Sequence, residues 1–371
     1  MVTLAPEAPL ADAFTDAVSD ALATHLDAQA GVLAAIDPRL TPLIDRARLF
    51  TAGGKRLRPA FCAWGWVAGG GDPCLPDGVV AAAASLDVLH VAALVHDDVM
   101  DASDSRRGVP AAHVQFTGDH AEAGWRGDAD AFGRAGAVLL GDLLLMWSEE
   151  MVRRAALPAD ALERARPHLE AMRTEVTAGQ YLDVLAQAQH PHPTARTPEG
   201  RAELTDLVRT VVTWKSASYT VRRPLLVGAA LAGASPAQLD ALSAFGQPLG
   251  RAFQYRDDVL GVFGDAALTG KTSAEDLREG KLTLLAVEAF ARASEADAAT
   301  LAGLFGDPAL SAKDAEAARK IIVASGAREA VEAEIDREFT AALAALEASD
   351  LTETGRAGLI ALAHKAVRRS Y

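Results

Sequence analysis

Aromatic side chains are scarce, at 5% of the 371 residues. Half the residues are hydrophobic, and Ala and Leu dominate that share, which favours helix over sheet. Cysteine is nearly absent. Cys62 and Cys74 cannot build a disulfide framework, and their single spacing fits no zinc pattern. A reducing cytoplasm is therefore the expected compartment. Positive charge is in deficit, with 36 Lys and Arg against 50 Asp and Glu and a net charge of −14. A globally acidic chain binds nucleic acid poorly, so no nucleic-acid partner is expected. Any site for an anionic ligand must be a local basic cluster. No basic segment followed by an apolar one opens the chain, where Glu7, Asp12 and Asp16 come early, so no signal peptide is expected. No run of ~18 apolar residues lacks a charge, so no transmembrane helix is expected. Strand-like runs and a repeat period are also missing.

Amphipathic helix is what the chain has instead. Apolar residues recur every three or four positions from Asp12 to Ile36. Gly78 to Met100 is apolar almost throughout and reads as a central buried helix. Further helices are expected over Gly136–Arg154, Leu169–Ala188, Thr205–Ala232 with a kink or break at Pro224, Pro236–Val262 and Leu282–Ala293, then an Ala-rich series over Ala312–Arg369. Gly69–Gly78, Thr117–Asp130 and Gln189–Gly200 read as loops, with residues 118–130 and 189–200 as mobile insertions. His190 and His192 read as solvated, because no Cys or close carboxylate completes a ligand set. At about 150 residues per domain, one large domain or two are both possible. Helices and loops alternate without a clear linker, which favours one all-α domain over 1–371.

The chemistry concentrates in a few segments. His96-Asp97-Asp98-Val99-Met100-Asp101 ends the most apolar helix. Positions i and i+4 share a helix face, so Asp97 and Asp101 point the same way and repel each other without a counter-cation. Acidic residues are also unfavourable near a helix C-terminus. Mg²⁺ would relieve both, since it accepts one or two carboxylates and completes its shell with water and substrate phosphates. A second pair, Asp257-Asp258, ends another apolar helix and suggests the other wall of one metal-filled cavity. Gly53-Gly54-Lys55-Arg56-Leu57-Arg58-Pro59 combines a flexible diglycine with three cations suited to a phosphate. Arg106 and Arg107 follow the first pair, and Lys215, Lys271 and Lys281 lie in apolar or loop contexts. Basic groups bracketing two acidic pairs in an acidic chain point to a metal-dependent diphosphate site in a helical cavity.

These segments resemble the trans-isoprenyl diphosphate synthases of the polyprenyl synthetase family, with geranylgeranyl diphosphate synthases as the likeness within it. The matching segments are Gly53–Pro59, Leu94–Asp101, Ser105–Gly108, Gly179–Asp183, Lys215-Ser216, Phe253–Asp265 and Thr269–Lys271, all within residues 50–285 and in family order. The resemblance implies a helical bundle around a central cavity. It implies that Lys55, Arg58, His90 and Arg107 hold isopentenyl diphosphate. Asp97 and Asp101 would bind Mg²⁺ from one side and Asp257 from the other, with three ions per active site. Arg106, Lys215, Ser216, Gln254, Lys271 and Lys281 would hold the allylic diphosphate, with Asp183 facing the same cavity. A homodimer is implied as well. Two departures stand out. Gly261 occupies the place where the second acidic motif often has a third Asp, and Ser216 stands where Thr is usual. Asp265, one turn on, reads as a compensating carboxylate or, more simply, a loop cap.

The implied reaction ionises an allylic diphosphate (dimethylallyl, geranyl or farnesyl), adds isopentenyl diphosphate to the carbocation, and eliminates a proton. Small side chains at Ala92 and Ala93, about one turn before Asp97, leave the tail tunnel open, and Leu89 and Leu86 form a deeper floor. A product of geranylgeranyl length or longer is expected. A terpene cyclase needs one diphosphate site, not two, so Gly53–Pro59 and Arg107 argue against it. A metal phosphohydrolase built on His96-Asp97 with His90 and His113 leaves the second acidic pair unexplained. A non-catalytic regulatory subunit should have lost its acidic motifs, and the first is intact here.

Overall fold

The computed structural model describes residues 1–264, 275–347 and 349–368. Among them the fold is all-α, as the composition predicts. Sheet is confined to two antiparallel ladders of two residues per strand, β1 (Val2–Thr3) with β2 (Cys74–Leu75) and β3 (Ser105–Arg106) with β4 (Val109–Pro110). Ladders this short carry no alternation, which is why the sequence hides them. The chain forms two compact units.

The first unit comprises Met1–His168, Pro224–Leu239 and Asp350–Leu362. Helix α1 (Asp12–Ile36) buries Phe14, Val18, Leu22, Leu26 and Leu33 at three- to four-residue spacing, as its periodicity predicts. It is followed by α2 (Thr41–Thr51) and α3 (Leu57–Ala68). Helix α4 (Asp77–Met100) is the core helix. By length and composition α4 could cross a membrane, but most of its apolar window is buried within the protein. It packs on α1, α3 and α6 (Ala129–Arg153). Glycine makes the closest approaches. A Cβ at Gly65 of α3 would overlap the Leu225 carbonyl, and one at Gly228 would overlap that of Cys62, so α3 and α9 (Arg223–Ala232) meet backbone to backbone.

Helix α5 (Ala112–Glu122) corrects the expected loop from Thr117, and only residues 123–128 separate it from α6. Its Phe116 and His120 are buried, and Cβ atoms at Gly133 and Gly136 of α6 would overlap α5 atoms. The glycines that suggest a loop, Gly118, Gly124 and Gly127, have open space where a Cβ would stand, and the close helix packing falls beyond them at Gly133 and Gly136. The Gly69–Gly78 segment is likewise shorter as a loop than expected, because Cys74–Leu75 pairs with the N-terminal strand and α4 starts at Asp77.

The second unit comprises Leu169–Arg223, Asp240–Ser349 and Ala363–Tyr371. It takes the C-terminal part of α7 (Ala159–Gln187), then α8 (Pro198–Val211) and a π-helical stretch over Val212–Arg222. Pro224 follows that stretch, so the expected break at the proline is a change of winding within a continuous helical path. Most of α10 (Pro236–Phe263) belongs here, with α11 (Glu275–Arg278), α12 (Leu284–Arg292), α13 (Glu295–Leu304), α14 (Ala312–Ala324) and α15 (Ala327–Glu347). Helix α16 (Glu353–Val367) ends the described fold. Within this unit Arg251 and Arg256 of α10 make two-pronged ion pairs with Glu338 and Glu332 of α15. The 189–200 segment is tied down: the Arg196 guanidinium donates to the carbonyls of Phe290 and Ala293, and the His190 and His192 rings pack on Phe290.

Candidate active site

In the first unit, the diglycine segment is wound left-handed. Gly53 and Gly54 have φ of 69° and 88°, and Arg56 has φ of 49°. The Arg56 side chain turns inward, donating to Asp87 of α4 at 2.8 Å and to Ser19 of α1 at 3.1 Å. Arg56 is thus an anchor, and it leaves Lys55 exposed and Arg58 half-buried on either side. Arg107 and Gly108, with φ of 54° and 78°, form the two-residue turn between β3 and β4. That turn sends the Arg107 guanidinium against Gly54, where a Cβ would stand 3.3 Å from Nη1. The two basic segments, 52 residues apart, therefore meet. His90 sits among them. Burial, with Arg58, Arg107 and Arg106 nearby, holds its imidazole well below the ordinary pKa of 6.5. A neutral ring beside guanidinium groups can donate an N–H to an anion.

The acidic side of this unit closes α4. The Asp101 N–H donates to the Asp97 carbonyl at 2.8 Å, so the helix still winds regularly where the two carboxylates stand one turn apart. Asp98 faces the other way and is 1% exposed. Arg106 grips it through Nε at 2.8 Å and also through Nη2, which lies 3.8 Å from Asp97. Burial pushes the Asp98 carboxyl up to about 6, against the opposing pull of Arg106. His96 points to α6, where its Nε2 is 3.1 Å from the Val138 carbonyl and 3.4 Å from Asp142. It is no partner for Asp97, which removes the basis of the phosphohydrolase reading. Among the described residues no three His, Cys, Asp or Glu side chains hold an ion by themselves. Paired carboxylates of hard oxygen donors fit Mg²⁺, which takes its other ligands from water and phosphate.

In the second unit, Lys215 donates to Asp183 at 2.5 Å. Asp183 is 3% exposed, and Ser216 beside it is buried. A Cβ at Gly179 would overlap the Lys215 backbone, so α7 and the π-helical stretch touch main chain to main chain. Gln254 donates to Asp258 at 2.8 Å, one turn along α10. Burial pushes Asp258 up to about 7, opposed by Lys281 and reinforced by Asp276 and Asp257. The half-buried Asp257 stands at the other position of the pair. Glu175 of α7 accepts from Ser218 and Arg223 at 2.6 and 2.8 Å. Lys271 and Asp265 lie outside the described residues.

In the first unit Arg58, Arg106 and Arg107 lie near His90, and Arg106 reaches toward Asp97. In the second unit Lys215 meets Asp183, while Gln254, Asp257 and Lys281 lie around Asp258. Sequence reasoning missed Asp87, Asp98 and Glu175, which hold arginines in place. Their only signal is an ionisable residue at an apolar position of its helix, and burial decides that.

The polyprenyl synthetase family profile matches residues 44–322, well over half of the chain. Geranylgeranyl pyrophosphate synthase from Corynebacterium glutamicum, solved with isoprenyl diphosphate and magnesium, is 39% identical with a TM-score of 0.89, covering 97% of this chain and 99% of that one. Geranylgeranyl diphosphate synthase of Mycobacterium tuberculosis is 33% identical over 303 residues, 81% of this chain and 77% of the relative. Geranylfarnesyl diphosphate synthase of Aeropyrum pernix is 32% identical, covering 75% of this chain and 78% of the relative.

Proposed function

The chain belongs to the polyprenyl synthetase family and is a prenyltransferase, and from that premise we propose that it condenses isopentenyl diphosphate with dimethylallyl, geranyl or farnesyl diphosphate to reach geranylgeranyl length or longer. One observation carries the reading. The paired carboxylates that close α4 and a cluster of guanidinium groups around a neutral His90 occur in the same unit, with Arg106 joining the two through Asp98. Lys55, Arg58, His90 and Arg107 hold the diphosphate of isopentenyl diphosphate. Arg106, Lys215, Ser216, Gln254, Lys271 and Lys281 hold the allylic diphosphate. Asp97, Asp101 and Asp257 are the Mg²⁺ ligands, for three ions. Bound Mg²⁺ stabilises charge on the departing diphosphate.

The residues do the rest. Arg106 and Lys215 are held by Asp98 and Asp183, so their charges are in place before the allylic C–O bond breaks. The isopentenyl double bond then forms the new C–C bond, and the adduct loses a proton to the released diphosphate. The apolar residues of α4 keep water from the cation. Ala92, 2% exposed, and half-buried Ala93 leave room for the growing tail, with Leu89 and Leu86 below. We place the enzyme in the cytoplasm as one catalytic domain and a homodimer. An apolar stripe on α6 supports the dimer: Phe132, Leu139 and Met146 recur every seven residues and are 39%, 59% and 58% exposed.

The test is radiolabelled isopentenyl diphosphate with Mg²⁺ and each primer, the products dephosphorylated and resolved by length. A ladder ending at geranylgeranyl length or beyond is expected. Turnover of an allylic substrate alone would indicate a cyclase, and folded protein that incorporates no label would indicate a regulatory subunit.

A further inference from the structure

Glu175 of α7 precedes Asp183 by about two turns and, like it, reaches the π-helical stretch. Its Oε2 accepts from the Ser218 hydroxyl at 2.6 Å and from Nε of Arg223 at 2.8 Å, and its Oε1 accepts from Nη2 of Arg223. Nη1 of Arg222 stands 3.9 Å away, and its Nε donates to Ser243 of α10 at 2.7 Å. Burial would raise the Glu175 carboxyl, but hydrogen bonds from Arg223 and Ser218 outweigh it and hold the group below its ordinary value. Glu175 is therefore a charged acceptor fixed in one place. The spacing of its two partners is that of a π turn. The Arg223 N–H donates to the Ser218 carbonyl, the i→i+5 bond of such a turn. That bond stacks the two residues, so one carboxylate reaches both side chains. In an α-helix, residues five apart stand about 140° around the axis from each other. Glu175 thus grips a pair that the wide winding brings together. Neighbouring glycines fit the same winding. A Cβ at Gly179 of α7 would overlap the Lys215 backbone, and one at Gly250 of α10 would overlap Ala217.

We propose that Glu175 is a positioning residue for the allylic diphosphate: its clamp on Ser218 and Arg223 holds the π winding, and that winding sets where Lys215 meets Asp183 and the ligand. Lys215 lies in the same stretch, just ahead of Ser218. Each residue of a wider turn covers a smaller angle, so a return to α winding would rotate Lys215 relative to the clamp. Glu175 touches no substrate in this role and acts through Lys215. The inference rests on the reading that Lys215 holds the allylic diphosphate.

The probe is geranyl thiolodiphosphate, an unreactive sulfur analogue, titrated calorimetrically with Mg²⁺ into the full chain. A double-mutant cycle pairs Glu175→Ala with Lys215→Met. Glu175→Ala is expected to weaken binding on the order of ten-fold, with KM for isopentenyl diphosphate unchanged in the turnover assay. Glu175→Gln keeps an oxygen acceptor for Ser218 and Arg223 and is expected to recover most of the loss. In the Lys215→Met background Glu175→Ala is expected to have no further effect, because no ammonium is left to misplace. Ser218→Ala removes one prong of the clamp, is expected to weaken binding several-fold, and carries the cycle if Glu175→Ala does not fold. Equal losses in both backgrounds overturn the proposal, as does a matching rise in KM for isopentenyl diphosphate. Lys215→Met that binds the analogue as tightly as wild type instead overturns the reading of Lys215 beneath it.

Discussion

His90 shows how a single residue is tuned by its neighbours. Burial and three arginines hold its pKa well below 6.5, whereas the unfolded chain protonates it at that ordinary value. Below pH ~6.5 the unfolded state therefore binds more protons, and stability falls as pH drops. Melting temperature should decline more steeply between pH ~6.5 and ~5 in the wild type than in His90→Gln. Parallel curves would mean that the imidazole is not held neutral. Ala92 carries a steric prediction. Ala92→Phe should shorten the longest product by at least one isoprene unit while overpacking costs about 1–3 kcal/mol of stability. Product analysis after dephosphorylation reads it, and an unchanged end point would place the tail elsewhere. The positions of Asp97 and Asp101 are legible in sequence because helix pitch fixes them. The pairings of Arg56 with Asp87 and of Arg106 with Asp98 are not, because they depend on which side chains are buried together.

Among elements, the π-helical stretch matters most for the site. It carries Lys215 and Ser216, and such stretches recur at functional sites. Gly179 lets α7 approach it closely enough for Asp183 to meet Lys215. Gly179→Ala is expected to cost about 1–3 kcal/mol in urea unfolding and, by moving Lys215, to raise KM for the allylic diphosphate several-fold. A stability loss with unchanged KM would separate the packing role from substrate binding. Apolar periodicity gave the extent of α1 and α4 to within a residue, since each buries a face or nearly its whole surface. It failed over α5, where Gly118 and nearby polar residues resemble a loop although Phe116 and His120 are buried. A π turn has no sequence period of its own, so the sequence suggests a kink or break at Pro224 where the helical path continues with a change of winding.

For the molecule as a whole, self-association is the testable property. The seven-residue stripe on α6 presents Leu139 and Met146 to solvent in an otherwise acidic, well-charged chain. Leu139→Glu combined with Met146→Glu should convert a dimer to a monomer in light scattering, with the fold preserved because neither side chain is core. A monomeric wild type would refute the dimer. The sequence by itself determined the helical class, the scarcity of sheet, the two acidic pairs and the basic segments. Composition, helix pitch and local charge are properties of the chain alone. Tertiary structure decided which ionisable groups hold other residues in place, as Asp87 holds Arg56 and Asp98 holds Arg106. It also placed the carboxylate of Asp276 where a side chain at position 261 would stand. Those outcomes depend on burial and on contacts between residues distant in sequence, which no local pattern encodes.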